Sequence, residues 1–168
     1  AIALAAGIEE ALENICNLLP FFIGVDTTVI YLLNQQQRTY HLNAYQSSSW
    51  KQQSKNLPQQ FREGDFRGLD EVLSEKIPSI FKIEDIPPED WLKINNQFIF
   101  QKQDDYQISE PLLIVFPLHI QEEISGFILI REAEDAFENR EKKIEILNGI
   151  ARQISVAVQN VQLKTEIV

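Results

Sequence analysis

Cys16, His41 and His119 are the residues best suited to nucleophilic, redox or metal chemistry, and each needs partners to act. A thiol reacts when it is exposed and deprotonated, and thiol reduction chemistry needs a second thiol to resolve the adduct. Cys16 is the only cysteine, which excludes an internal disulfide framework and any multi-cysteine zinc or redox site. Its place beside Leu12 and Leu19 in a helical pattern reads as a buried structural thiol. His41 and His119 fall in separate expected strands and form no pair at metal-ligand spacing. A structural or surface role is therefore expected for both, with haem ligation through one of them as the minor alternative.

The acidic strings Glu84-Asp85, Glu89-Asp90 and Asp104-Asp105 supply carboxylates, but without the alternating ligand spacing and turn glycine of a calcium loop. They read as solvated loop charge. There is no glycine-rich phosphate loop and no Gly-x-Ser-x-Gly elbow. With no catalytic constellation in view, binding rather than catalysis is expected, and no metal site.

The elements that would position these residues belong to one core. The chain has 168 residues, 44% of them hydrophobic and 24% charged, with no run approaching the ~18 apolar residues of a membrane span. A single domain over 1–168 in a cytoplasmic setting is the expectation. The formal net charge of -10 repels phosphodiester backbones and anionic lipid, so neither nucleic acid nor membrane is an expected partner. The start at Ala1, the absence of methionine and the end inside a helical run suggest a piece excised from a longer protein.

The first segment, about residues 1–22, places Leu4, Ile8, Ala11, Ile15, Leu18 and Phe22 at alternating spacings of four and three, a heptad seam. A second line of Ala5, Leu12, Cys16 and Leu19 lies on a neighbouring face, and Pro20 with Gly24 is expected to end the helix. Thr27–Leu33, a polar turn Asn34–Arg38 and Thr39–Tyr45 read as a β-hairpin. Gln46–Gln60 reads as a loop, Gly68–Lys76 as a short helix and Ser79–Ile83 as a strand. Leu112–Ile120 and Ile124–Ile130, joined by the turn Gln121–Glu123, are apolar enough to be strands covered on both faces.

In the last segment, about residues 137–167, Ile144, Leu147, Ala151, Ile154, Val158 and Val161 keep an unbroken three-four spacing. At about 1.5 Å per residue this helix is roughly 45 Å long, longer than a domain of this size requires. Ile146, Ile150 and Ala157 form a second apolar line. One stripe is thus expected on the sheet and the other on a partner, giving a homodimer whose interface includes Leu4, Ile8, Ile15, Leu18, Ile144, Leu147, Ala151, Ile154, Val158 and Val161. Packing of the first helix on the last within one molecule is the alternative.

The strings Pro111 to Pro117, Ile124 to Leu129, Phe137 to Glu141 and Gly149 to Gln153, in that order, resemble the GAF domain, a ligand-binding fold of many bacterial signalling proteins. Pro111-Leu-Leu-Ile-Val-Phe-Pro117 and Ile124-Ser125-Gly126-Phe127-Ile128-Leu129 are similar to the family's penultimate strand, turn glycine and last strand. Phe137-Glu138-Asn139-Arg140-Glu141 is similar to the start of its terminal helix, and Gly149-Ile150-Ala151-Arg152-Gln153 with Ala157, Asn160 and Leu163 to its interior. Gly64-Asp65, Leu69-Asp70-Glu71-Val72-Leu73 and Pro78 fit the middle. The resemblance implies an α/β (α+β) fold with a central antiparallel sheet of about six strands. The terminal helices would lie on one face, and variable loops and short helices on the other.

It also implies a dimeric sensory domain that relays a bound small molecule or partner to an attached output domain, or else a ligand-free dimerisation spacer. The family's cavity would lie under about residues 61–100, where Trp50, Phe66, Trp91, Phe98 and Phe116 either line a pocket or fill it. The departures are informative. Glu138 stands where the family usually has a Ser or Thr helix cap. Bilin-bearing members use a cysteine in the central region, and catalytic members that reduce methionine sulfoxide use several, so neither a covalent chromophore nor that chemistry is expected of Cys16. The residue set of cyclic-nucleotide binders finds no complete match, and no cofactor is expected.

Overall fold

A run of β-branched residues, Thr27 to Ile30, followed by Tyr31 makes Val25–Asn34 a ten-residue strand, β1, in the computed structural model. The structure describes residues 2–23, 25–47, 57–82, 93–94, 97–98, 112–132 and 140–167. Helix α1 spans Ile2–Ile23 and precedes β1. Strands β2 (Thr39–Ser47) and β3 (Gln60–Arg62) follow, then α2 (Arg67–Ser74), β4 (Ser79–Lys82) and the two-residue β5 (Lys93–Ile94) and β6 (Gln97–Phe98). Strands β7 (Leu112–Ile120) and β8 (Glu123–Glu132) and helix α3 (Arg140–Ile167) complete the order. Helix α1 continues past Pro20, the residue expected to end it. Residues 137–139, including the cap position Glu138, lie outside the described set.

The main sheet is antiparallel, in the order β3-β2-β1-β8-β7-β4, with β5 and β6 pairing separately. Side chains alternate across it, so the core divides into two layers. Ile30, Ile114, Phe116, Leu118, Ile128 and Ile130 point to the face packed by α1 and α3. Val29, Tyr31, Leu33, Leu113, Val115, Phe127 and Leu129 point to the other, where Leu69 and Leu73 of α2 cover them. Burial on both faces explains why β7 and β8 are apolar at nearly every position. Among the described residues no helix is long and apolar enough to cross a membrane.

Bulges in β2 and β8 set which side chains reach which layer. In β2 the register shifts between Ile30↔Ala44 and Tyr31↔Leu42, leaving Asn43 as the extra residue. Tyr40 and Leu42 consequently face the α2 layer while Ala44 faces the helices. In β8 the shift lies between Leu118↔Gly126 and His119↔Ile124, and the extra residue, Ser125, donates its hydroxyl to the Leu118 carbonyl at 3.1 Å.

Beneath the helices the Thr28 hydroxyl is fully buried and has no hydrogen-bond partner among the described residues. A buried hydroxyl without a partner keeps its desolvation cost. Thr28→Val is accordingly expected to raise unfolding free energy by about 1 kcal/mol, read from urea denaturation; an equal loss would show that the oxygen is satisfied after all.

Candidate functional site

The α2-side layer is the face on which the sequence placed a ligand, and its hairpin half is built from aromatic rings. Tyr31 lies 5.2 Å from Phe127 and 5.3 Å from Phe61 between ring centroids. Tyr40 stacks on Phe61 at 5.0 Å and meets Phe127 edge-on at 5.2 Å, while Phe66 meets Phe61 at 5.1 Å. Spacings of this kind are those of packed aromatic pairs. Tyr31 also donates its hydroxyl to the Pro58 carbonyl at 2.9 Å, tying the loop before β3 to the sheet. Burial alone holds the Tyr31 phenol well above its ordinary pKa. In this half, the rings occupy the layer themselves.

Of the expected pocket residues, Phe66 belongs here, half-buried against the cluster. Phe116 does not. It lies in the layer beneath α1 and α3, with Ile114 and Leu118, because it shares their parity in β7. Phe66 and Phe116 therefore sit on opposite faces of the sheet and cannot line one pocket. Trp50 and Trp91 lie outside the described residues, as does the side chain of Phe98. Tyr31, Tyr40, Phe61 and Phe127, which form the ring cluster, were missed as a group. Their signal was the alternation of Tyr31 with Val29 and Leu33, obscured at Tyr40 by the bulge.

The polar rim lies at the hairpin end. A cleft of about 500 Å³ opens between the β1–β2 turn, α2 and the β7–β8 turn, bounded by Arg38, Tyr40, Glu63, Asp70, Glu122 and Glu123 among others. Arg38 pairs with Glu63 at 2.7 Å, and Lys76 donates to Glu122 at 2.6 Å. Gln35 donates to the Ile124 carbonyl at 2.9 Å, joining the two turns. Burial, followed by the charge of Glu63 and then of Asp65, raises the Asp70 carboxyl above its usual range, against a lowering hydrogen bond from the Gly64 backbone.

His41 and His119 lie on β2 and β7 as expected. His41 shares a 2.9 Å hydrogen bond with the Thr39 hydroxyl, and His119 Nδ1 lies 3.3 Å from the Gln121 carbonyl. Among the described residues no three His, Cys, Asp or Glu side chains converge as a metal site. Cys16 is buried under the helical layer, and burial with the neighbouring Glu13 charge pushes its thiol up to about 12. A thiol so disposed supplies no thiolate near neutral pH.

On the helical side, four of the residues expected at the dimer interface pack within the molecule instead. Leu147 is 1% exposed, and Ala151, Ile154 and Val158 are likewise buried against the sheet within one molecule. Leu12 and Cys16 face the same layer, with Ile8, Ile15, Ile144 and Ile150 half-buried around it. The three-four line of α3 is therefore its inner stripe. The outer line carries Ile146, 41% exposed, and Val156, 48% exposed, with exposed Gly149, Gln153 and Asn160 continuing the three-four spacing. The side chains of Leu4, Leu18 and Val161 lie outside the described set.

Sheet order, helical layer and ring-filled α2 layer define an α+β domain of the class that the sequence strings resemble. The family model described as "GAF domain" matches residues 7–158, and the chain belongs to the GAF domain family. Among solved structures it is similar to the GAF domain of a phosphoenolpyruvate-protein phosphotransferase from Coxiella burnetii. There the TM-score is 0.67 at 15% identity, covering 95% of this chain and 86% of that one. A methyl-accepting chemotaxis protein fragment, residues 122 to 287, gives 0.66 at 11% identity, covering 95% and 97%. A type II free methionine-R-sulfoxide reductase from Thermoplasma acidophilum gives 0.64 at 16% identity, covering 94% and 96%. No curated protein matches the chain by sequence.

Proposed function

We propose that this GAF domain is the sensory or regulatory segment of a cytoplasmic signal-transduction protein and acts as a homodimer without catalysis of its own. A small molecule or partner engages the α2 side, and α1 and α3 pass the change to an attached output domain. The observation that carries this reading is the outer line of α3: a helix whose inner stripe is already buried still presents Ile146 and Val156 to solvent at heptad spacing.

The composition of that line favours a switchable contact. Gly149 allows close approach, while Gln153 and Asn160 at seam positions fix register at a cost in stability. Two helix arrangements of similar energy are what a relay requires, and a weak seam supplies them more readily than a run of leucines. The non-catalytic reading is supported by Cys16, which is buried, protonated and alone.

A second reading, a ligand-free dimerisation spacer, is favoured by the aromatic packing of the hairpin half. Sedimentation at micromolar concentration is expected to give the dimer mass, and Ile146→Glu/Val156→Glu the monomer mass with an unchanged circular dichroism spectrum. A wild-type monomer across that range rejects the relay. Native mass spectrometry separates the two readings: a co-purified small molecule supports the sensor, and a bare dimer supports the spacer.

A further inference from the structure

Gly149 stands exposed in the interior of α3, and a Cβ built on it would meet nothing within 4 Å. Glycine inside a helix costs stability relative to alanine, and no described neighbour calls for it here. A missing side chain at that point serves a body that approaches the helix backbone from outside. The same line carries Ile146, Gln153, Val156 and Asn160, all exposed. The steps from Ile146 are three, four, three and four, so Ile146, Gln153 and Asn160 take the a positions of a heptad, and Gly149 and Val156 the d positions. In the sequence Leu163 and Ile167 continue the steps within α3, past Val158, the last described member of the inner stripe.

The order of residues along this line decides how a second helix can lie on it. In a parallel pair related by a two-fold axis, every seam residue faces its own counterpart. Gln153 then meets Gln153 and Asn160 meets Asn160. A side-chain amide holds two N–H donors and a carbonyl acceptor, so a copy of itself satisfies it. Ile146 and Val156 likewise meet their equals, and glycine at both 149 positions lets the backbones close. Reversing one helix sets a positions against d positions. Gln153 would then face Val156 and Asn160 would face Gly149, so both amides would lose water without gaining a partner. A helix of different sequence would have to supply amides at the same two places, a demand that a second copy of this chain meets by construction. Lys142, one step before Ile146, is exposed, and its long stem carries the ammonium clear of the axis, so the seam begins at Ile146.

We propose that α3 pairs with α3 of a second copy in parallel and in register along Ile146, Gly149, Gln153, Val156 and Asn160, with the amides of Gln153 and of Asn160 each hydrogen-bonded across the axis to their counterparts. This rests on the homodimer reading above and adds the direction and register of the contact. A parallel pair also holds the two C-terminal ends of α3 together, which is the geometry a helical relay to paired outputs requires.

The test is oxidative cross-linking of cysteine variants of the 168-residue protein, read as dimer on non-reducing gels. Cys16 is buried, so the wild type is the blank. Ile146→Cys is expected to cross-link to itself. An antiparallel seam would hold the two Ile146 positions about 25 Å apart, out of a disulfide's reach. In an equimolar mixture of Gly149→Cys with Asn160→Cys, oxidised after subunit exchange, mass spectrometry is expected to find only like-with-like dimers. Asn160→Leu is expected to tighten the dimer about tenfold in sedimentation, because a seam amide fixes the arrangement at a cost in stability. All three positions are exposed, so the variants are expected to keep the wild-type circular dichroism spectrum.

A dimer in which Ile146→Cys does not cross-link overturns the parallel seam and leaves the homodimer reading standing, whereas a monomer across the micromolar range removes both. Mixed dimers of Gly149→Cys with Asn160→Cys would replace the parallel pair with an antiparallel one. An unchanged dimer dissociation constant in Asn160→Leu would put the amide outside the contact and overturn the hydrogen-bonded pairing.

Discussion

Leu147→Glu is expected to yield no folded protein, whereas Ile146→Glu one residue away is expected to leave the fold intact. Leu147 is 1% exposed and packs with Ile114, Phe116, Ile128 and Ile154 between α3 and the sheet. A carboxylate there loses its water and finds no cation among the described members of that layer. Burying an ionisable group so, together with the lost leucine packing, costs about 4 kcal/mol or more, a large share of the 5–15 kcal/mol that holds a typical domain together. Ile146 is 41% exposed, and a glutamate there meets water. Thermal unfolding by circular dichroism with soluble yield reads both variants. A folded Leu147→Glu protein would mean that the inner stripe had been assigned to the wrong side of α3.

That pair of variants bears on what the sequence could and could not reveal. The spacing of Ile144, Leu147, Ala151, Ile154 and Val158 identified a helix with a continuous apolar stripe, and the helix is there. The spacing is silent on the neighbour, because a flat sheet and a partner helix both ask for residues three and four apart. The same limit applies to Phe116. Every residue around it in β7 is apolar, since both faces are covered, so parity alone could not place it, and the sheet-facing side chains of α3 decide it. The order of strings from Gly64 to Leu163 was sufficient for the family because each retained its place along the chain. What escaped notice was short or irregular. Strand β3 is three residues with one buried side chain, Phe61, and exists through its pairing with β2 at Tyr40. The bulge at Asn43 leaves no compositional trace, yet it delivers Tyr40 to the ring cluster and so to the cleft.

At Gly126 the strands β1 and β8 approach too closely for any side chain. The family strings suggest a turn glycine, but Gly126 lies within β8, opposite Leu32 of β1 and Leu118 of β7, at φ 158°. A Cβ built there would collide with the Tyr31 carbonyl oxygen and press on Leu32. The obstacle is backbone in the neighbouring strand, so relief requires β1 and β8 to separate rather than a side chain to turn. Gly126→Ala is therefore expected to destabilise the protein by about 3 kcal/mol or more, lowering the urea midpoint well beyond the effect of an ordinary surface change. The loss should also be local in its signature. Tyr31 and Phe127 flank the displaced contact, and their stacking holds Tyr40 in place, so tyrosine near-ultraviolet circular dichroism is expected to weaken before the far-ultraviolet signal does. Wild-type stability in Gly126→Ala would show that β1 and β8 can move apart freely, and with it the fixed geometry of the ring cluster and of the cleft beside it would be lost.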